Sequence, residues 1–482
     1  MNTSMSWRGR LYHLVDAAVL THLSPRLKRR VVRLLLTMTR RDLPPPERTR
    51  IENVLLTHRA LKTAGQHTTL PDWALQDMHD LALQVDAALA LNADTAKFPR
   101  TLLTPTHWTE AGSCYREIAD KLNTERFDTV FLVPWLKRGG ADLGALHHVR
   151  ACVEDLGHRV LVIATEPGES PWAQRLPSHV RFLPIGKELG GLSSACDEVE
   201  LVLARLLLQL APTRIHLINS HAGWRTIARF GQALSQNSRL FCSLYCDELS
   251  MDGVRTGLAQ TYLPSTYPWL SNVIADNSIT PSEWISGMGL PPELFRVVHF
   301  PAPGGPAVKS LRAEKRLLWA SRLEQQKRPE LLAALAATLS EFHWDVYGES
   351  LSDSDPIVVR LRKLPNVTLH GAYENFNSII APDHLAYVYT TRWDGLPNVL
   401  LEAASARLPI IAPDVGGIRD ILPTGLLPTE ANVEDYAHAI RSLWLTSTSG
   451  QQPQNAPSRI DYFTWDNFVQ NLRSIKGYAS PC

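Results

Sequence analysis

No stretch of this 482-residue chain runs for about 20 apolar residues, so it offers no helix able to span a bilayer. A surplus of charge is missing too. Lys and Arg number 49 against 48 Asp and Glu, which gives no ground for nucleic acid as a main partner. Cysteine is sparse: six residues without paired spacing, apart from Cys242 and Cys246, which would share one face of a strand. The expectation is six small buried hydrophobes in a reducing cytoplasm rather than a disulfide framework. The apolar stretch near the N-terminus is broken by His13, Asp16 and His22, so no signal peptide is expected. Internal repeats and extended low-complexity segments are absent as well.

What is present is length and alternation. A chain of 482 residues predicts two or three domains. Residues 1–125 read as helical, with Leu27, Val31, Leu34, Leu35 and Met38 near helical spacing among Arg26, Lys28, Arg29, Arg30 and Arg33. Residues 1–50 hold eleven Lys or Arg against three Asp or Glu, a basic face that suits an anionic membrane surface and equally suits water. Pro44, Pro45 and Pro46 end this piece, and Pro71 and Asp72 open a second helix over 73–91.

The character changes at Phe127. Residues 128–134 read as a buried strand, followed by the Gly139-Gly140 turn, a helix over 143–156 and a strand over 159–164. The spaced glycines of a dinucleotide fingerprint are missing. Two adjacent glycines still let a backbone approach a ligand and donate N–H groups, although a packing turn explains most such pairs. Strands at 214–218, 239–245 and 272–275 follow, with a helix over 224–234, and a helix and strand within 280–303 lead to a Pro/Gly linker at 301–306.

In the second half, a strand over 316–321 runs into RLEQQKRP and a helix from Glu330, with further strands at 343–347 and 366–369. The chain is then organised around residues 394–420, DGLPNVLLEAASARLPIIAPDVGGIRD. A strand over 384–390 enters a turn of Gly395, Leu396 and Pro397, residues 398–406 have helical character, and 409–412 read as the next strand. In a parallel sheet that turn lies at a strand's carboxyl end, where ligands bind, and the helix offers unpaired N–H groups to an anion. Asp394 precedes the turn and Glu402 lies one turn inside the helix, each able to accept hydrogen bonds from sugar or ribose hydroxyls. A polar linker is expected over 446–458 and an amphipathic helix over 463–472.

The run from Asp394 to Glu402, followed by Leu408-Pro409, a strand and Gly416-Gly417-Ile418, resembles the donor signature of the family 4 retaining glycosyltransferases, also described as glycosyl transferases group 1. The likeness is to members of bacterial polysaccharide and O-antigen assembly. That family carries two acids with seven positions between them, here Asp394 and Glu402. The first is usually Glu, so Asp394 shortens the arm by one methylene. The resemblance covers about residues 126–475 and is most specific in the second half. It implies an α/β protein of GT-B architecture, two Rossmann-like doubly wound domains facing a cleft, here with an extra N-terminal helical region. The expected parts are a helical accessory region at 1–125, an acceptor domain at 126–303, a nucleotide-sugar donor domain at 304–460 and a C-terminal helix at 461–482 that crosses back.

The same resemblance implies the site. Arg322 and Lys327 are similar to the family's pair that holds the nucleotide diphosphate, and with Asp394 and Glu402 they make the expected catalytic set. Negative charge grows on the phosphate as the glycosidic C–O bond breaks, and fixed cations stabilise it most at that moment. Gly395, Leu396, Pro397, Asn398 and Val399, with Gly139 and Gly140, are the expected donor-binding residues, and Tyr373 is the candidate to stack on the base. Many relatives carry a histidine in a strand-end T-V-H-D motif; here the strand ends LYCDE at 244–248. His221 and Asp247 are the acceptor-side candidates, although a lone histidine such as His221 is more often structural. Front-face attack needs no protein nucleophile, which agrees with the absence of a Ser-His-Asp or paired-carboxylate set.

No metal or other cofactor is expected: His147-His148 and His13 with His22 lack ligand partners, and Asp353-Ser354-Asp355 reads as a solvated turn before Pro356. The implied partners are a GDP- or UDP-sugar and a saccharide or lipid-linked glycan, at a cytoplasmic place that includes the inner face of the plasma membrane. A turnover-dead scaffold and a nucleotide-sugar epimerase on the same fold are the rivals. Retention of Arg322, Lys327 and Glu402 together argues against the scaffold.

Overall fold

The computed structural model describes residues 110–122, 125–192, 197–250, 252–304, 314–349, 354–449 and 459–479. The chain divides into two units, Met1–Lys121 and Leu122–Cys482. Of the first, the described part is the amphipathic helix Glu110–Leu122, which opens on an acid and has Lys121 in its last turn. The basic face within 1–50 and the helix expected over 73–91 lie outside the described residues.

The second unit is built on two parallel sheets. The first has the order β3-β2-β1-β4-β5-β8-β9, from β1 (Thr129–Val133), β2 (Val160–Ala164), β3 (Arg181–Pro184), β4 (Arg214–Ile218), β5 (Arg239–Ser243), β8 (Asn272–Ala275) and β9 (Phe295–Val297). A small antiparallel hairpin, β6 (Glu248–Leu249) and β7 (Arg255–Thr256), stands apart from it. The second sheet has the order β12-β11-β10-β13-β14, from β10 (Arg316–Ala320), β11 (His343–Tyr347), β12 (Val367–Gly371), β13 (Ala386–Val388) and β14 (Ile410–Ile411).

Continuous apolar runs explain the parallel arrangement. Every residue of β1, β2 and β4 is buried, as strands covered by helices on both faces require. The helix His221–Ser235 shows the matching pattern: Ser220 caps it by accepting from the Gly223 N–H, and Trp224, Ile227 and Leu234 point inward.

Strand order also locates the crevices. In the first sheet the chain goes from β1 outward to β2 and β3, then returns to place β4 on the other side of β1. In the second it goes from β10 to β11 and β12, then returns to place β13 beside β10. Ligands of open α/β sheets bind outside the carboxyl ends of strands at such reversals. The loops that matter therefore follow β1, β10 and β13.

Several elements differ from the sequence expectation, each for a visible reason. The strand expected over 384–390 shortens to Ala386–Val388, because His384 turns to Asp345 and the Thr390 hydroxyl donates to the Lys327 carbonyl. Cys246 lies beyond the end of β5, so it does not share a strand face with Cys242. The helix expected from residue 143 begins at Gly140 and passes into a π turn, Ala151–Asp155. The linker expected from Thr446 starts later: the helix Val433–Thr448 includes Thr446–Thr448, whose hydroxyls satisfy themselves on carbonyls of the preceding turn.

The C-terminal helix Trp465–Ser474 lies on the first sheet's domain. Trp465 Nε1 donates to Asp155 at 3.1 Å, and Phe468 and Leu472 join one apolar core with Phe131 and Phe300. Beyond the helix, the Tyr478 hydroxyl sits 2.8 Å from His216 Nδ1 in the centre of that domain. Among the described residues no helix is long and apolar enough to cross a membrane.

Candidate active site

The loop after β10 carries Arg322 and Lys327, and the loop after β13 carries Asp394 and the Gly395-Leu396-Pro397 turn. Backbone and side-chain bonds join the two loops across the crevice: Arg392 N donates to the Gln326 carbonyl at 2.8 Å, and Gln326 Nε2 donates to the Trp393 carbonyl at 2.7 Å. Lys327 is thereby fixed over the turn. Its Nζ donates to Asp394 Oδ2 at 2.5 Å and to the Tyr389 hydroxyl at 2.7 Å, and Tyr389 in turn donates to the same Asp394 oxygen. Both members of the Lys327–Asp394 pair are largely buried, which makes the ion pair costly to break on one side only. Arg322 differs. It is exposed, pairs with Glu324 at 2.7 Å and reaches Gln326 at 3.4 Å, so its guanidinium is free to move to an incoming anion.

The turn's shape depends on the glycines that follow β14. Gly416 has φ +51, and a Cβ there would lie 2.0 Å from the Asp394 carbonyl oxygen. Gly417 N donates to the Gly395 carbonyl at 2.9 Å. The Gly-Gly pair thus holds the backbone on which Asp394 stands. Pro397 caps the helix Asn398–Ser405, leaving its first N–H groups at the crevice. Leu396 and Leu400 anchor the turn in the core.

Glu402 projects from that helix beside Tyr373 and Arg138. Burial pushes its carboxyl up to about 7, and the Arg138 charge works against this. Tyr373 is raised to about 12, first by burial and then by the Glu402 charge. The Arg138 guanidinium lies 4.9 Å from the centre of the Tyr373 ring, so a cation from the loop after β1 reaches residues of the second domain. Gly139 and Gly140 follow Arg138, and Asn398 Nδ2 approaches the Gly140 carbonyl at 3.4 Å. Val399 is half-buried on the same helix.

The acceptor-side candidates differ in burial. His221 is exposed at the start of the helix His221–Ser235. Asp247 is buried, with its oxygens engaged by Trp284 Nε1 at 2.9 Å, Gln260 Nε2 at 2.8 Å and Arg255 Nη1 at 3.5 Å. His147 and His148 pack in the core of the first domain, where burial lowers them to about 4 and about 3, so both are neutral. Asp353 lies outside the described residues, and Asp355 caps the helix Pro356–Arg362 by accepting from Ile357 N.

Four residues that the sequence does not single out join the site. Tyr389 sits five positions before Asp394, where no spacing rule marks it. Arg138 adjoins the glycine pair, and its reach across the cleft depends on how the domains meet. Cys246 follows the end of β5 in the LYCDE run. Its thiol is raised well above the ordinary value by burial, then by the Asp394 and Asp276 charges. Asp276, at the end of β8, accepts from the Leu396 N–H at 3.0 Å.

Two parallel-sheet domains with their strand-end loops meeting in one cleft form a GT-B fold. Residues 314–445 match the family described as Glycosyl transferases group 1, a likeness confined to the second half of the chain. The chain is 22% identical over 160 residues to the O-antigen biosynthesis glycosyltransferase WbnH of Escherichia coli, covering 33% of this chain and 46% of that protein. It thus spans a little under half the length of this relative. It is 20% identical over 352 residues to one of the subunits of the human phosphatidylinositol N-acetylglucosaminyltransferase, covering 68% of this chain and 71% of that one. Among solved structures, the Anabaena protein HepE in complex with UDP and glucose superposes with a TM-score of 0.56 at 17% identity, over 72% of this chain and 98% of HepE. The last likeness speaks for the fold alone.

Proposed function

We propose that this protein is a retaining glycosyltransferase that moves a hexose from a GDP- or UDP-sugar to a saccharide or lipid-linked glycan in polysaccharide assembly. The reading rests on one observation: the loops at the β10/β13 reversal bring Lys327, Asp394, the Gly395-Leu396-Pro397 turn and a helix N-terminus to one point of the cleft. Cations and unpaired N–H groups there suit a diphosphate, and Glu402 suits hydroxyls. WbnH is named for O-antigen biosynthesis, which supports the acceptor class.

In this reading the bond from the sugar's anomeric carbon to the phosphate oxygen breaks while a bond to the acceptor oxygen forms on the same face. The acceptor's proton passes to the departing phosphate oxygen. Arg322 and Lys327 stabilise the charge that accumulates there, and the N–H groups opening the helix Asn398–Ser405 add partial positive charge. Glu402 orients the nucleotide's ribose, Tyr373 stacks on the base, and no metal is needed, so transfer is expected to persist in excess chelator. A turnover-dead scaffold has specific support in Asp394 for Glu and Cys246 for histidine.

The test is thermal unfolding with UDP, GDP, ADP and CMP, each beside Arg322→Ala. Ligand at about 100 times its dissociation constant adds roughly 2.7 kcal/mol. A shift with one nucleotide that vanishes in the mutant supports the donor site; sugar transfer then separates enzyme from scaffold, and turnover of donor without acceptor marks an epimerase. Contact of residues 1–50 with the cytoplasmic membrane surface is a separate part of the proposal. Deleting them is expected to weaken sedimentation with anionic liposomes, and unchanged binding removes it.

A further inference from the structure

Asp276 lies on the first domain, yet its carboxylate serves the second. It is almost fully enclosed, and it accepts from the Asn277 side chain at 2.8 Å, from the Leu396 N–H at 3.0 Å and from its own backbone N–H. The approach is close because Gly395 has no side chain: a Cβ there would meet both carboxylate oxygens and the Tyr245 carbonyl at 2.9 Å each. The contact therefore occupies an amide of the turn that the proposed function assigns to the donor. A second carboxylate, Asp394, faces it from that turn, with Lys327 already committed to Asp394.

We propose that Asp276 is a positioning residue of the donor site: its carboxylate holds the Leu396 N–H across the cleft and competes with the donor's diphosphate for that turn. The inference rests on the donor site argued above and concerns its regulation by charge. Two carboxylates against one lysine leave this corner negative, and in an enclosed site the repulsion of an arriving diphosphate is poorly screened. Neutralising Asp276 removes that repulsion and leaves a group that still fills the same space.

Titration gives the handle. Burial raises Asp276 to about 7, the Asn277 and Leu396 bonds oppose this, and the Asp394 charge raises it further. The groups on which its charge acts are Tyr245 and Cys246, both raised by burial and neutral, and Lys327 acts on Cys246 as well. Asp420, another carboxylate between the domains, is bound by Ser278 and His299 instead. Around a value of about 7, the protonated fraction of Asp276 falls about tenfold between pH 6 and pH 8. Donor affinity weakens with it. Glu402 titrates in the same range with the opposite effect, since ribose hydroxyls favour its charged form, but it does so in every variant.

The experiment measures binding of UDP-glucose, GDP-mannose and ADP-glucose at pH 6 and pH 8 by calorimetry. These diphosphate diesters keep a fixed charge over that range. Wild type is compared with Asp276→Asn, which keeps an acceptor for Leu396 but cannot ionise, and with Asp420→Asn, which loosens a different contact between the domains. The affinity ratio of Asp276→Asn to wild type is expected to rise about tenfold from pH 6 to pH 8, with Asp420→Asn parallel to wild type. A constant ratio for Asp276→Asn, or the same rise in Asp420→Asn, overturns the inference while leaving the donor site standing. Failure of all three donors to bind any variant overturns the donor site itself. If Asp276→Asn does not fold, the wild-type protein decides through the nucleoside of whichever donor binds, uridine, guanosine or adenosine: its affinity should lack the alkaline weakening of that donor, and equal pH dependence overturns the inference.

Discussion

Lys327 is the residue whose loss should cost most. It is held by an acid and a phenol of its own domain, ready at the point where charge grows on a leaving phosphate. Lys327→Ala is expected to lower turnover by about 10²- to 10³-fold, as removal of one preorganised electrostatic donor does, with a smaller change in KM; steady-state kinetics with the donor found by thermal shift checks this. Gly416 is the second sensitive position. Its backbone is left-handed, and a methyl group would collide with the Asp394 carbonyl. Gly416→Ala is expected to cost about 2 kcal/mol or more in a denaturant titration and to abolish donor binding, because Asp394 must shift to make room.

At the scale of elements, β11 is tied to its neighbours by a buried carboxylate. Asp345 receives Arg316 from β10 at 2.5 Å, His370 from β12 at 2.7 Å and His384 from the segment before β13 at 3.0 Å. Burial alone would raise its pKa, but the bonds from His384, Arg316 and His370 outweigh it and hold it well below the carboxylate range. A depressed carboxylate contributes stability that is present above its unfolded value and is lost as pH falls through the folded one. Acid unfolding should therefore draw on Asp345 only below about pH 4. Asp345→Ala is expected to destabilise by about 3 kcal/mol, since it leaves the Nε2 of fully buried His384 without its partner and Arg316 with Asp383 alone. An Asp345→Ala curve superimposed on wild type in urea would remove this role.

The same network explains what the sequence does and does not reveal at this scale. The apolar runs of β1 and β2 announce buried parallel strands directly. The short β13 does not follow from its run, because the side chains at its ends are drawn off to Asp345 and to the Lys327 loop, which are distant in sequence.

At the scale of the whole molecule, the C-terminal segment closes the first domain. Tyr478 is fully buried among His148, His216 and Cys152, and Gly477 accepts from Arg214 at 2.9 Å. Burial keeps both histidines neutral, so the phenol and imidazoles share hydrogen bonds without charge. Tyr478→Phe is expected to cost about 1 kcal/mol, and truncation after residue 464 much more, with bound nucleotide unable to restore the truncated protein's melting temperature.

Local pattern alone determined the βα alternation from Phe127 onward and the turn–helix unit with Asp394 and Glu402, because apolar periodicity and glycine turns act between near neighbours. Lys327 and Asp394, 67 positions apart, are a pair only because β10 and β13 are adjacent strands. Asp276 and Leu396, 120 apart, meet only because two domains close on each other where a glycine leaves space. Burial then sets the protonation of Glu402 and Asp276 near neutrality. Solvent exclusion is a property of the assembled cleft, so the site's charge was decided by tertiary structure.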